Sequence, residues 1–229
     1  QRLAQQERNF LLATTHEFNS PIAAVKLNLQ TLAKREVSGE QKQNILDGAL
    51  SSTQRLEGLV SNLLIASRLD AGKLELLKES VDMHDMMETM KKRYTVLAQT
   101  ASCSLEWATQ EGLIINVDRH AVESALGNLI ENAIKYAPGS KIKVGYETQM
   151  DGVQLFVADE GKGIARSERG NIFKKFYRSE NEETRSQKGS GLGLYLVKEL
   201  VRLHHGRITV TNNTPQGSIF TIEFKGKNT

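Results

Sequence analysis

The sequence predicts an α+β chain, in which an N-terminal antiparallel helical hairpin precedes a two-layer α/β sandwich. Two observations support this fold class. Apolar side chains step by three and four along residues 1–70, as they do on one face of a helix. From about residue 71, strand and helix patterns mix without strict βαβ alternation, which favours a sandwich over a doubly wound sheet.

The hairpin is predicted from two apolar stripes separated by a turn at residues 36–40. The stripes are Phe18, Ile22, Val25, Leu29 and Leu32, then Ile45, Ala49, Ser52, Leu56, Leu59, Leu63 and Ala66. A lone hairpin cannot enclose both stripes, whereas two copies paired as a dimeric four-helix bundle would bury them. Packing against the rest of the chain is the alternative, and the length of the stripes favours the homodimer.

The second part is predicted to mix helices with short strands. The helices are Val81–Ala101, Asp118–Ala137 and Gly191–His205; the strands are Ser104–Ala108, Leu113–Val117, Lys141–Glu147, Val153–Ala158, Ile208–Thr211 and Ser218–Phe224. Asp118 stands at an N-cap position, and Pro138-Gly139 stops the helix that follows it. Residues 159–190 carry no regular pattern.

Composition excludes several classes of protein. The net charge of +3 argues against a nucleic-acid partner, which normally requires a strongly basic face. The single cysteine, Cys103, excludes an internal disulfide framework and fits a reducing compartment. No stretch approaches the roughly 20 apolar residues needed to cross a bilayer, so no membrane contact is expected from this segment. Because the chain opens inside a helix without Met, we expect a soluble part of a longer protein, which a sensor or membrane anchor can precede.

Two glycine-rich segments flank the irregular stretch. Asp159-Glu-Gly-Lys-Gly-Ile164 follows a strand, where the glycines allow close approach to a ligand and the carboxylate can accept from the exocyclic amine of adenine. Gly189-Ser-Gly-Leu-Gly-Leu194 leads into a helix, whose free N–H groups and dipole favour phosphate. Each segment alone is equally compatible with an ordinary loop.

Polar side chains on one helix and a basic stretch suggest the rest of a phosphate site. Asn128, Asn132 and Lys135 share a face of the helix, and amide oxygens suit Mg²⁺; a solvated helix face is the alternative. Residues 162–188 hold eight Lys or Arg against four Glu, a net charge of +4. This predicts a mobile basic lid, in which Arg178 can contact a phosphate.

A fourth motif, His16-Glu-Phe-Asn-Ser-Pro21, lies on the first helix. Histidine can act as a nucleophile, and a neighbouring carboxylate can orient it or take its ring proton. Pro21 cannot donate to the carbonyl of Glu17, so we expect a local bend beside His16. A lone helical histidine is more commonly an exposed or half-packed side chain. That role is assigned to His84, His120, His204 and His205.

These motifs occur together and in one order, and over its whole length the chain resembles the cytoplasmic core of a bacterial sensor histidine kinase. Residues 10–21 resemble the H box of that family, 128–136 its N box, 159–164 its G1 box, 173–178 its F box and 189–194 its G2 box. The resemblance implies a dimerisation and phosphotransfer domain at 1–70 and a linker at 71–80. It further implies a Bergerat-type ATP-binding domain at 81–227, with a lid at about 162–188.

The resemblance also implies a role for each site residue. His16 is the phosphoacceptor, and Glu17 is its base. Asn132 binds Mg²⁺, with Asn128, Lys135 and Tyr136 near the phosphates of ATP. The remaining nucleotide contacts are Asp159 at the adenine amine, Gly161, Gly163 and Ile164 beside it, Arg178 at the γ-phosphate, and Gly189, Gly191, Leu192 and Gly193 along the triphosphate.

Three positions refine this interpretation. Asn128 stands where ATP-hydrolysing relatives of the fold carry a glutamate that activates water, and an amide cannot take that proton. Ser20 replaces the family's usual Thr at a position tied to dephosphorylating the partner, and it keeps a hydroxyl group. Asn19 stands where the family usually has Arg or Lys, which bears on contact with the partner.

The expected function is Mg·ATP-dependent autophosphorylation of His16 and phosphotransfer to an aspartate of a response-regulator receiver domain. The chain is then a cytoplasmic segment of a protein that the bacterial inner membrane can anchor. Two alternatives stay open: a protein that mainly dephosphorylates its regulator, and a non-catalytic dimeric adaptor that senses nucleotide. Whether autophosphorylation occurs in cis or in trans depends on the hand of the turn near residues 37–40.

Overall fold

The structure is a computed structural model that describes residues 2–34, 36–178 and 190–225, and the chain divides into two compact units. The first unit holds the residues up to 73 together with 176–178 and 190–192. The second holds residues 74–175 and 193–225. The first unit is built on helices and the second is a mixed α/β sandwich, so the predicted α+β class is confirmed.

The first unit is built on two long helices, α1 (Arg2–Lys34) and α2 (Gly39–Asp70). Ser38 caps α2, because its Oγ accepts from the Gln41 N–H at 3.3 Å while Gln41 Oε1 accepts from the Ser38 N–H at 3.1 Å. This reciprocal capping box makes the turn shorter than predicted, since Gly39 is already helical. α1 continues through Pro21 as one helix.

A single hairpin leaves much of its apolar surface open. Ala66 is buried, but Ile22, Leu29 and Leu63 expose 48%, 53% and 40% of their surface. Within its described side chains, the hairpin therefore does not enclose both stripes by itself. None of the helices in the described residues has the length and apolar character needed to span a membrane.

The described residues of the second unit form three helices and seven strands. The helices are α3 (Met83–Thr100), α4 (Arg119–Tyr136) and α5 (Gly193–Leu203). The strands are β1 (Glu79–Asp82), β2 (Ser104–Ala108), β3 (Ile114–Val117), β4 (Lys141–Gln149), β5 (Gly152–Asp159), β6 (Arg207–Asn212) and β7 (Ser218–Lys225).

The main sheet has the strand order β2-β4-β5-β7-β6, and β1 pairs with β3 in a separate ribbon. β2 and β4 are parallel, whereas the other neighbours are antiparallel. Since parallel strands need a crossover connection, the chain passes through β3 and α4 between them. α3 contacts β2, α4 contacts β4 and β5, and α5 contacts β6. The core lies between these helices and the sheet and includes Met86, Leu126, Leu196, Ile142, Leu155 and Ile222.

Two predicted helices have wrong boundaries. The helix expected at Val81 begins at Met83, because Val81 and Asp82 belong to β1 and pair with β3. Asp82 then caps α3, accepting from the His84 N–H at 2.8 Å. The helix expected at Gly191–His205 is shorter at both ends, since Gly191 (φ +71°) and His205 (φ +58°) adopt left-handed backbone conformations.

Candidate functional site

Asp159, the last residue of β5, carries a buried carboxylate. Its Oδ1 accepts from the N–H of Gly161 at 2.9 Å and from the N–H of Ser218 at 3.3 Å. Within the described residues no hydrogen bond reaches its Oδ2. Burial raises the pKa of the Asp159 carboxyl group above its ordinary value, and the two backbone donors oppose that shift. The result is an oriented, partly desolvated acceptor with one oxygen left for a ligand's donor.

The loop after Asp159 needs its two glycines for close packing. A Cβ atom on Gly161 would lie 2.9 Å from Ala137 Cβ, at the end of α4. Gly163 has φ +74°, and a Cβ atom there would lie 3.0 Å from the carbonyl oxygen of Gly217. The carbonyl of Ile164 accepts from Arg169 Nε at 3.2 Å. The predicted G1-box residues therefore lie between the end of α4 and Gly217.

The polar face of α4 lies beside the start of α5. Asn128, Asn132 and Lys135 are half-buried, and Tyr136 is 38% exposed. Asn128 Nδ2 donates to the Ser124 carbonyl at 2.8 Å, and a Cβ atom on Gly193 would lie 2.8 Å from Asn128 Oδ1. Gly193 is thus required for the N-terminus of α5, with its free N–H groups, to approach Asn128.

The F-box residues and most of the G2-box residues are described, but most of the second half of the predicted lid is not. Phe176 N–H donates to the Gly191 carbonyl at 3.0 Å, so the F-box and G2-box segments are joined. Leu192 is buried and Arg178 is exposed. Lys175 Nζ lies 5.7 Å from the centre of the Tyr195 ring. Gly189 and the predicted lid residues 179–188 lie outside the described residues.

The H-box residues lie on α1. The backbone of His16 is helical, and its side chain lies outside the described part of the structure. Glu17 is only 5% exposed, and Ser20 is half-buried. A carboxylate so deeply buried on a helix requires a polar or charged neighbour, and Glu17 does have one.

Sequence reasoning missed two features of this region. Ser218, whose N–H donates to Asp159, was not among the expected residues, although the Gly217-Ser218 pair before a strand was a visible signal. His204 was expected to be exposed or half-packed, and this is wrong. It is 7% exposed because its Nε2 accepts from the Asp118 N–H at 3.0 Å and its Nδ1 bonds the Leu200 carbonyl at 2.8 Å.

Comparison with known families matches both units of the chain. Residues 6–72 match the His Kinase A (phospho-acceptor) domain. Residues 117–228 match the histidine kinase-, DNA gyrase B- and HSP90-like ATPase family. This pairing of domains, in this order, is decisive.

The chain belongs to the sensor histidine kinases.

Individual relatives of this histidine kinase agree with the family match. The sensor-like histidine kinase SenX3 of Mycobacterium tuberculosis is 28% identical over 222 residues, which cover 96% of this chain and 54% of SenX3. The autoinducer 2 sensor kinase/phosphatase LuxQ of Vibrio vulnificus is 28% identical over 227 residues, which cover 96% of this chain and 26% of LuxQ. The chain therefore spans about half or less of the length of these relatives.

A solved structure extends the likeness to the fold. The Acinetobacter baumannii histidine kinase AdeS superposes with a TM-score of 0.63 at 26% identity, over 93% of this chain and 98% of the AdeS chain. The likeness to a solved relative therefore covers residues of both units.

Proposed function

We propose that this chain is the catalytic core that transfers the γ-phosphoryl group of ATP to His16, and then to an aspartate of a response-regulator receiver domain. The observation that carries the proposal is the buried Asp159 carboxylate, with one oxygen held by two backbone donors and the other without a hydrogen bond among the described residues. Such an acceptor suits an exocyclic amine like that of adenine. The glycine loop beside it lets a flat base approach the backbone closely.

The residues on α4 fit a magnesium-bound triphosphate. No group of three or more His, Cys, Asp or Glu side chains in the described residues is arranged to hold a metal. Mg²⁺ usually retains waters and phosphate ligands, so a single amide such as Asn132 suffices as the contribution from the protein. When bound, Mg²⁺ supplies charge neutralisation at the phosphates. Lys135 and Asn128 lie on the same helix face, and the N-terminus of α5 adds N–H donors for the phosphates.

On the hairpin, His16 and Glu17 supply the transfer chemistry. An imidazole nitrogen of His16 attacks the γ-phosphorus, a P–N bond forms, and the bond to the bridging oxygen breaks so that ADP leaves. Glu17 takes the ring proton. Its place directly after His16 in the sequence, with a side chain that is only 5% exposed, supports this role. Asn128 cannot activate water as a carboxylate would, so hydrolysis does not compete strongly.

We further propose a homodimer formed through the hairpin. Ile22, Val25, Leu29 and Leu56 line an open groove of about 560 Å³ between α1 and α2. Burying such a surface between two copies in a four-helix bundle is favourable, since each Å² of apolar area removed from water contributes about 25 cal/mol. The domain boundaries at 70 and 81, and a cytoplasmic position within a longer, membrane-anchored sensor, remain parts of this proposal.

Dephosphorylation of the regulator is a second candidate function. Ser20 offers a hydroxyl one helical turn beyond His16 on α1. LuxQ, a relative, is named a kinase/phosphatase. A dephosphorylation assay on a phosphorylated receiver domain, run with Ser20→Ala beside the unchanged chain, separates the two functions. Equal rates of phosphate release from the receiver domain with Ser20→Ala and with the unchanged chain would remove Ser20 from the proposal.

The phosphoacceptor is tested with radiolabelled Mg·ATP. We expect an acid-labile phosphoryl group on the unchanged chain and none on His16→Gln. His120→Gln is the matched control, because His120 is exposed on α4 and should leave labelling intact. Label that persists in His16→Gln would exclude the assignment, and absence of label in all three proteins would favour the nucleotide-sensing adaptor.

The nucleotide site is tested with Asp159→Asn. The amide oxygen can still accept from Gly161 and Ser218, but the NH₂ group now faces the adenine amine, so Mg·ADP binding should be lost. Because burial raises the pKa of Asp159, its ionised form lowers stability at pH 7, and Asp159→Asn should not lower the Tm. Glu160→Gln, at an exposed neighbour, should bind Mg·ADP as the unchanged chain does.

A further inference from the structure

The β6–β7 loop (residues 213–217) lies directly against the Asp159 loop (residues 159–164). Gly217 has φ +110°, and its Cα approaches the Asp159 carbonyl so closely that no Cβ atom would fit there. The Gly217 carbonyl in turn lies beside Gly163. The two loops are thus in backbone contact at both ends of the segment that carries Asp159.

Three side chains tie the backbone of the Asp159 loop to its neighbours. Asn213 Nδ2 donates to the Asp159 carbonyl at 2.8 Å. Gln216 Nε2 donates to the Glu160 carbonyl at 3.1 Å. Arg169 donates to the Ile164 carbonyl and also to Asn212 Oδ1. Main-chain carbonyls at both ends of the Asp159 loop are therefore held from outside the loop.

Asn213 is itself held in one orientation. Its Oδ1 accepts from the Thr214 N–H at 2.9 Å, and its own N–H donates to the Gly217 carbonyl at 3.0 Å. With Oδ1 engaged by a backbone donor, the NH₂ group of the amide must face the Asp159 carbonyl. Asn213 is half-buried, so this hydrogen bond is partly shielded from water.

We propose that Asn213 is a positioning residue for nucleotide: it fixes the backbone of Asp159, and thereby the direction of the carboxylate that meets the base, without touching the nucleotide. The inference rests on the proposed nucleotide site. Asp159 is held at two points, its carboxylate by Gly161 and Ser218 and its carbonyl by Asn213. If the Asp159 carbonyl is released, the Asp159 side chain is free to turn with the end of β5. This weakens nucleotide binding and leaves the phosphoryl-transfer step unaffected.

Asn213→Asp gives an isosteric test. Aspartate keeps the acceptor for Thr214 but replaces the donor with an oxygen that faces the Asp159 carbonyl. We expect the Kd for Mg·ADP, measured by calorimetry on the full chain, and the KM for ATP in autophosphorylation to rise about tenfold, which corresponds to about 1.4 kcal/mol. The kcat at saturating ATP should stay within about twofold, because the reacting groups are not displaced.

Asn212→Asp is the matched control. It adds the same charge one residue earlier, at an exposed position, and keeps an acceptor for Arg169. We expect its Kd to stay within about twofold of the unchanged chain. The Kd of Gln216→Glu should lie between those of Asn213→Asp and Asn212→Asp, since this change releases the carbonyl of Glu160 and not that of Asp159.

The outcomes separate this inference from the function on which it rests. If the unchanged chain binds no Mg·ADP, the proposed nucleotide site fails, and the inference with it. If the unchanged chain binds but Asn213→Asp and Asn212→Asp have equal affinities, only the inference fails. A fall in kcat with unchanged KM also overturns it. Asn213→Ala serves as a second variant, and loss of folded structure in both Asn213 variants would assign Asn213 to the fold and overturn the positioning role.

Discussion

The two units of this chain differ in where their apolar side chains lie. Among the described side chains of α1 and α2, the longest helices in the chain, only Glu17, Pro21 and Ala66 are buried. α4, with 18 residues, buries nine. The sandwich therefore has a core of its own, whereas the hairpin presents apolar surface that a single copy does not cover. The stability of the sandwich should depend on its internal packing, and that of the hairpin on association.

The largest expected effect lies in the core of the sandwich. Leu126 is fully buried on α4, and Leu126→Ala should lower the free energy of unfolding of this unit by about 2–5 kcal/mol, because a cavity remains. This loss is measured by chemical denaturation monitored through tryptophan fluorescence, since the only Trp, Trp107, lies on β2. Leu77→Ala, at a side chain that is 81% exposed, is the control and should change it by no more than about 0.5 kcal/mol. Equal losses would contradict the assigned core.

The next largest effect is a difference in how the thermal transitions of the two units respond to dilution. If the hairpin is held together by association, each tenfold dilution lowers its stability by about 1.4 kcal/mol per dimer, and its thermal transition moves down. The transition of the sandwich should not move. Calorimetry across a hundredfold concentration range tests this, and a hairpin transition that is independent of concentration would favour packing within one chain.

The capping box at the start of α2 predicts a smaller effect. Ser38→Ala removes the acceptor for the Gln41 N–H and should lower the stability of the hairpin by about 1 kcal/mol. Ser51→Ala serves as a control within α2, since it makes the same change at an exposed position that does not line the groove between the two helices. A Tm that falls equally in both variants would mean that the cap contributes nothing specific.

The smallest effect is a pH dependence confined to the sandwich. Burial lowers the pKa of His204 below its ordinary value of about 6.5, because desolvation disfavours the protonated ring. Protonated Nε2 would also face the Asp118 N–H, donor against donor. The unfolded chain then binds the proton more readily, so the stabilising contribution is complete above pH 6.5 and declines as the pH falls through the folded-state pKa.

The free energy of unfolding, measured by denaturation at pH 7 and at pH 5, tests this pH dependence. The loss of stability between the two should be smaller in His204→Gln than in the unchanged chain. His120→Gln, at an exposed position, should keep the full loss. If His204→Gln shows the same pH dependence as the unchanged chain, the titrating group lies elsewhere.

The sequence predicted those parts of the molecule that periodicity and local chemistry determine. The helices of the hairpin, strand Ser104–Ala108 and the cap at Asp118 follow from stripes, alternation and a single polar side chain next to its helix. The start of α3 was misplaced, because the pairing partner of Val81 lies in β3. The burial of His204 escaped notice for the same reason, since Asp118 is far away in sequence.

In the candidate site, too, the features set by local sequence were predicted and those set by residues distant in sequence were not. Asp159 and its glycines were expected from one short segment, and the structure brings Asn128 to Gly193 as an α4–α5 contact. The donors from Ser218 and Asn213 were not expected, because they come from the start of β7 and the loop before it, which only the pairing of β5 with β7 brings alongside. Local motifs thus indicated the groups that we propose to face the ligand, while the groups that support them depend on sheet topology.

The parallel pairing of β2 with β4 also makes the order of folding matter. β4 and β5 meet through a tight turn, so their pairing closes a short loop. β2 reaches β4 only after the chain that contains α4 has crossed over, and the entropy of closing that longer loop is lost before the pairing repays it. We therefore expect the β4–β5 hairpin to form before β2 joins the sheet. Asp159, at the end of that hairpin, would then be in place before the sheet is complete.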